Sequence, residues 1–183
     1  MEVIPLEISD VRVIVPKKFG DHRGFFSEVF NRQSLDAAGI GHDWVQDNHS
    51  LSVAAGVVRA LHYQVPPMGQ AKLVRVVKGA VLDVAVDIRR GSPTFGRYVK
   101  AILSAENWRQ MYVPTGFAHG FVTLEPNTEV IYKVSSVYSP PHERGIAWND
   151  RTIAIDWGVD NDTAVLSDRD RKHPMLADAV DLY

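Results

Sequence analysis

Histidine, tyrosine, lysine and arginine recur in this chain inside apolar runs that read as strands. The run Gly56-Val57-Val58-Arg59-Ala60-Leu61-His62-Tyr63-Gln64 sets Arg59 and His62 among aliphatic residues, and Lys72 follows shortly after. A second imidazole, His119, ends Pro114-Thr115-Gly116-Phe117-Ala118-His119, and Tyr132 lies between Val130 and Val134. A base, a phenol and fixed cations on the walls of one barrel suit proton transfer beside a carbonyl. Imidazole exchanges a proton near neutral pH, and a cation in a dry cavity stabilises the enolate that forms.

Each residue also has a plainer reading. His62 alone could be a structural histidine, and Tyr132 a core tyrosine with its hydroxyl at the rim. Asp170, in Ser167-Asp168-Arg169-Asp170, resembles the acidic end of a helix-capping box. Strict strand alternation puts Arg59 and His62 on opposite faces. Both line one cavity only if a bulge interrupts the strand near Ala60 or Leu61.

The elements that must position these side chains are short and β-rich. Val11–Val15 alternates, and Lys72–Val77, Val81–Ile88, Tyr98–Leu103, Arg109–Val113, Gly120–Leu124, Glu129–Val134 and Ile153–Asp156 are bounded by Gly, Pro or Asn. That spacing favours a sandwich or barrel over βαβ units. One helix is expected over Gln33–Ala38, stopped by Gly39 and Gly41, and a second, short one from Ser167. Lys78-Gly79 reads as a hairpin connection, which would place Lys72, Val74 and Val76 on one face with Val81, Asp83 and Ala85. An ordinary solvated Lys–Asp contact is the simpler reading of the Lys72–Asp83 pair. Ser139-Pro140-Pro141 and the segment from Asp160 onward read as surface excursions around the core.

Composition sets outer limits. At 183 residues the chain is most simply a single domain over 1–183. It has no cysteine, so thiol nucleophiles, zinc–thiolate sites and iron–sulfur clusters are excluded. A formal charge of −2 supplies no general attraction for nucleic acid or anionic membrane. The first residues carry Glu2, Glu7 and Asp10 without a basic segment, and no apolar run approaches the roughly 20 residues of a membrane span. The expectation is a soluble cytoplasmic protein. There is no Gly-x-Gly-x-x-Gly fingerprint, Walker loop or Gly-x-Ser-x-Gly elbow.

Pro114-Thr115-Gly116-Phe117-Ala118-His119 matches the Pro-x-Gly-x-x-His of the second cupin motif. Metal-binding cupins also carry a His-x-His. The corresponding place here is Leu61-His62-Tyr63-Gln64, with one imidazole, and two histidines from separate strands are too few for a catalytic metal unless a carboxylate joins them. A metal-free, cofactor-free barrel is expected.

Taken in order, many segments resemble the dTDP-4-dehydrorhamnose 3,5-epimerase family. They are Phe19-Gly20-Asp21-His22-Arg23-Gly24-Phe25-Phe26, Val45-Gln46-Asp47-Asn48-His49-Ser50, Val58 to Gln64, Lys72-Leu73-Val74-Arg75 and Asp83 to Arg89. Ser92-Pro93-Thr94-Phe95-Gly96, Pro114 to Phe121, Tyr132-Lys133 and Trp148-Asn149-Asp150 continue the match to about Leu176. The resemblance implies a cupin-like jelly roll (a double-stranded β-helix), usually a homodimer, acting on a dTDP-4-keto-6-deoxyhexose. By the resemblance His62 is the general base, Asp170 its orienting partner, Tyr132 the acid on the other face of the sugar and Lys72 the cation near the C4 oxygen. Arg59 and His119 would line the same pocket. Arg23, Glu28, Gln46, Asp47 and Asn48 would hold the nucleotide, some from a neighbouring subunit, with Glu143 and Arg169 near it. Position 169 is often Lys in the family and is Arg here. The implied reaction inverts C3 and C5 of dTDP-4-keto-6-deoxy-D-glucose. A single-centre epimerase, a silent sugar-nucleotide-binding cupin and a metal-dependent cupin oxygenase are the alternatives.

Overall fold

The structure, a computed structural model, describes residues 1–183. Its strands are β1 (Glu2–Pro5), β2 (Arg12–Val15), β3 (Lys18–Asp21), β4 (Gly24–Ser27), β5 (Gln46–Ser52), β6 (Val58–Gln64) and β7 (Lys72–Lys78). They continue with β8 (Ala80–Asp87), β9 (Tyr98–Ser104), β10 (Gln110–Val113), β11 (Phe117–Thr123), β12 (Thr128–Val134) and β13 (Glu143–Gly145). One sheet runs β1-β2-β10-β7-β12-β5 and faces a second, β13-β6-β11-β8-β9, while β3 and β4 form a separate hairpin. Every pairing between named strands is antiparallel, and the two facing sheets make the expected jelly-roll barrel.

The strands form where β-branched and aromatic residues repeat, because those side chains pack well on a pleated surface. Val74, Val76 and Val130 from one sheet meet Val81, Ala85, Phe117 and Phe121 from the other between the layers. Outside the second sheet, Val58, Ala60, Val84 and Val122 pack under Trp148, Trp157, Ala164 and Leu176. Outside the first, Ile14, Leu73 and Tyr112 are covered by Leu35 of α1 (Arg32–Ala37) and by Ile40. Covering both faces explains why β11 is buried at every position instead of alternating. Helix α1 starts where the Asn31 side chain accepts from the Ser34 amide.

Four sequence expectations change. Lys78-Gly79 does not close a hairpin: β7 and β8 belong to different sheets, and the turn carries the chain across the barrel. Val74, Val76, Val81 and Ala85 do share the interior, but they face one another instead of lying side by side. Ile153–Asp156 is not a strand, because the Asp150 carboxylate accepts the Thr152 and Ile153 amides and Ala154 turns with φ 52°. The segment from Asp160 is no surface excursion, since Ala164, Leu176 and Ala179 complete the outer core of the second sheet. The expected helix at Ser167 shrinks to one 3-10 turn, Asp170–Lys172.

Candidate active site

The two sheets enclose a cavity of about 400 Å³. From the first sheet, β5 contributes Gln46 and Asn48, β7 contributes Lys72 and β12 contributes Tyr132. From the second, β6 supplies Arg59 and His62, β11 supplies His119 and β13 supplies Glu143. Arg169 and Asp170 enter from the segment after the barrel.

Arg59 and His62 share the cavity because a bulge does interrupt the strand. His119 pairs with His62 and Phe121 with Arg59, so Ala60 and Leu61 of β6 oppose the single residue Gly120 of β11. Gly120, between those partners, lies against Ala60: a Cβ there would stand 2.4 Å from the Ala60 Cβ and 2.8 Å from the Arg59 oxygen.

The His62 ring meets Asp170, with Nε2 2.9 Å from Oδ1. Its other nitrogen, Nδ1, has no hydrogen-bond partner and lies 3.9 Å from Glu143 Oε1. Burial holds the His62 pKa below the ordinary histidine value, against the opposing pull of Asp170, so the ring is neutral at pH 7. Burial also opposes ionisation of Asp170. The nearby His173 ring, 3.6 Å away, and the bond from His62 outweigh it and hold that carboxyl far below the usual range. The Ser167 hydroxyl donates to Asp170 Oδ2 and accepts from the Asp170 amide. The capping-box resemblance is thus half right: the serine caps the turn, while the carboxylate is turned to His62.

Lys72 is a second correction. It is 7% exposed and Asp83 is fully buried, so the pair lies in the barrel interior and not on a solvated face. Lys72 Nζ donates to the His62 carbonyl at 3.2 Å. Burial lowers the Lys72 pKa to about 8, with Asp83 and Glu143 acting in the opposite direction. Asp83 Oδ1 itself is 2.8 Å from His119 Nε2, a partnership the strand pattern did not suggest. Burial raises the Tyr132 pKa, with Arg59 opposing, so its phenol keeps its proton at neutral pH.

At the mouth, Glu143 is held by Arg169 and by the Tyr138 hydroxyl. Burial works against the Glu143 charge, yet these two partners lower its pKa overall. Gln64 fixes this rim: its amide nitrogen donates to the Met68 and Val137 carbonyls, and its oxygen accepts the Ser139 amide. Tyr138, Gln64 and His173 were not legible as site residues, because nothing in their own segments marks them.

Three expected residues stand outside the cavity. Asp47 faces outward, since β5 alternates Gln46 and Asn48 inward with Asp47 outward, and it pairs with Lys133 at 2.9 Å. Arg23 sits on the exposed β3–β4 hairpin and is paired with Asp21 at 2.6 Å. Glu28, just past β4, is exposed as well.

The metal question also looks different. His62, Asp170 and His173 bring ligand atoms within 4.8 Å of one another, so a carboxylate does join two imidazoles, though His119 is not one of them. The His62–Asp170 separation of 2.9 Å is that of a hydrogen bond, which an ion at this place would have to replace.

Comparison with known proteins identifies the family of the chain. The dTDP-4-dehydrorhamnose 3,5-epimerase family model matches residues 5–178. A dTDP-4-dehydrorhamnose 3,5-epimerase of Shigella flexneri is 52% identical over 180 residues, 98% of each chain. The solved structure of a 3,5-epimerase from Legionella pneumophila in complex with dTDP-4-keto-L-rhamnose superposes with a TM-score of 0.93. It is 44% identical and covers 98% of this chain and 94% of that one. A 3'-monoepimerase from Streptomyces bikiniensis in complex with dTDP-quinovose superposes with a TM-score of 0.87. Its identity is 37%, over 95% of this chain and 87% of that one.

Proposed function

Because the chain belongs to the dTDP-4-dehydrorhamnose 3,5-epimerase family, we propose that it inverts C3 and C5 of dTDP-4-keto-6-deoxy-D-glucose, giving dTDP-4-keto-L-rhamnose. The observation that carries the mechanism is the neutral His62 ring bonded through Nε2 to the Asp170 carboxylate inside the cavity. An Nε2–H donated to Asp170 leaves the Nδ1 lone pair as the base.

Both carbons flank the C4 ketone, so loss of either proton is assisted by enolate formation. His62 takes the proton, and the C–H electron pair moves toward the C4 oxygen. The imidazolium is stabilised by Asp170, whose low pKa keeps it a carboxylate throughout. Lys72, mostly protonated at pH 7, offsets the charge growing on oxygen. Tyr132, on the opposing sheet, returns a proton to the other face, so the configuration inverts. His62 then gives its proton to solvent and Tyr132 takes one from it, so each inversion closes in protons and needs no electron acceptor.

Gln46 and Asn48, with Glu143 and Arg169 near them, are the cavity residues assigned to the nucleotide, and Arg59 and His119 line the pocket around the sugar. Arg23 and Glu28 reach a site only in a homodimer, each supplied to a second copy by the β3–β4 hairpin. The exposure of Phe19, Phe25 and Phe26 on that hairpin supports the arrangement, because such aromatics are normally covered.

The test is proton NMR of dTDP-4-keto-6-deoxy-D-glucose with the protein in D₂O, followed by chemical reduction and analysis of the product sugar. Deuterium at C3 and C5 with the L-rhamno product is expected. Exchange at one carbon alone would make it a single-centre enzyme, and no exchange would refute catalysis. His62→Ala should abolish exchange at both carbons while retaining dTDP binding.

A further inference from the structure

His173 lies next to the His62–Asp170 pair and is not among the residues that line the cavity. Its Nε2 is 3.6 Å from Asp170 Oδ1, the same oxygen that His62 binds. The two imidazoles pack edge to face, with centroids 5.2 Å apart and planes at 83°. The His173 side chain is 11% exposed, and its Nε2 has no hydrogen-bond partner.

The surrounding chain is arranged to receive that ring. Gly145 of β13 stands directly opposite His62 in the strand register. A Cβ at Gly145 would lie 2.3 to 2.5 Å from three atoms of the His173 ring, so the place beside the base is left for an imidazole from outside the sheet. The segment bearing it is tied down on both sides. Ser167 caps Asp170, the Pro174 carbonyl accepts the Ala147 amide at 2.7 Å, and the Leu176 amide donates to Asp150 at 2.6 Å.

We propose that His173 is a positioning residue: it holds the His62 ring and the Asp170 carboxylate in register and keeps water from the Oδ1 oxygen that His62 binds. The inference rests on the reading of His62 as the base, and deepens it. The groups facing His62 are Asp170 and His173 from the segment after the barrel, Lys72 from β7, Glu143 from β13 and His119 from β11. Of these, His173 and Lys72 disfavour a charged His62, and Asp170 favours it. Removing His173 lifts one repulsion, admits water to the ring and leaves Asp170 wholly to His62. All three changes raise the tendency of His62 to be protonated.

The experiment compares wild type with His173→Gln and, as the reciprocal perturbation, Gly145→Ala. In His173→Gln, kcat should fall about 10²-fold with KM within about twofold, as a misplacement near 1 Å costs on that order. The acid limb of kcat/KM should move to higher pH. Titration of the His62 ring by NMR, which needs no turnover, should show the same upward movement. Gly145→Ala, which pushes on the ring, should reproduce the kcat loss where circular dichroism shows a folded protein. An unmoved His62 titration overturns the proposal, as does a loss confined to KM or to thermal stability. If wild type itself fails to exchange deuterium, the function reading falls, while the NMR titration still decides the role of His173.

Discussion

Asp170→Asn isolates the part of catalysis that depends on one negative charge. The side chain keeps its size and can still accept from His62 Nε2 through its amide oxygen, so the perturbation is electrostatic. A unit charge pair at the observed 2.9 Å is worth about 6 kcal/mol with an effective dielectric near 20. His62 is neutral before proton transfer and fully charged after it. A transition state about halfway along therefore loses roughly 3 kcal/mol, which corresponds to about a 10²-fold drop in kcat. KM should change little, because the charge contributes only once the proton moves. Hydrogen bonding and attraction to Asp170 raise the His62 pKa against its burial. Loss of the charge, with the hydrogen bond kept, lowers it further, so the acid limb of kcat/KM should shift to lower pH, opposite to His173→Gln. Single-turnover deuterium exchange across pH 4–8 reads both effects. A kcat within threefold of wild type, in a protein with an unchanged thermal transition, would refute the role given to Asp170.

Three further outcomes follow from the same geometry. Tyr132→Phe should permit exchange at the first carbon while slowing inversion by about 10²-fold, the usual scale for losing a general acid, as measured by exchange against product configuration. Lys72, lowered to about 8 by burial, loses its proton above that pH, so wild-type kcat/KM should fall there; Lys72→Arg should carry a lower plateau to higher pH without that limb. Gly120→Ala should destabilise the fold by about 1–3 kcal/mol, because the added Cβ meets backbone and cannot be accommodated by a rotamer change; differential scanning calorimetry reads it.

What could be read in the sequence divides along a physical line. Strands were legible because their apolar content is local. His62, Lys72, His119 and Tyr132 could be singled out because polar groups inside such runs are costly without a purpose, while the roles proposed for them came from the family resemblance. Relations between segments were not. Nothing in Leu73–Ile88 states that Lys78-Gly79 crosses between sheets, since the same two residues suit a hairpin. The bulge joining Arg59 to His62 depends on Gly120, a residue of another strand. Asp170 looked like part of a cap because Ser167 does accept its amide; its contact with His62 exists only once residues 157–176 fold over the second sheet. Arg23 and Glu28 fail to reach the cavity of their own chain for a related reason: the hairpin that bears them pairs with neither sheet.

The division of the barrel into two sheets bears directly on inversion. His62 and its bulge belong to the five-stranded sheet, whereas Lys72 and Tyr132 come from the six-stranded one. On the proposed assignment, a sugar held between the layers meets His62 as base from one wall and Tyr132 as acid from the other, and this one pair can serve both carbons beside the ketone. The spacing of these groups is set by the interlayer packing of Val74, Val76 and Val130 against Val81, Ala85 and Phe121. Aligned sheets pack about 10 Å apart, a gap that a pyranose ring with a side chain on each face can fill. Loss of a large interlayer side chain, as in Phe121→Ala, would loosen the walls on both sides of the substrate. It should slow proton removal and proton return together, which distinguishes a loosened scaffold from the loss of either group alone.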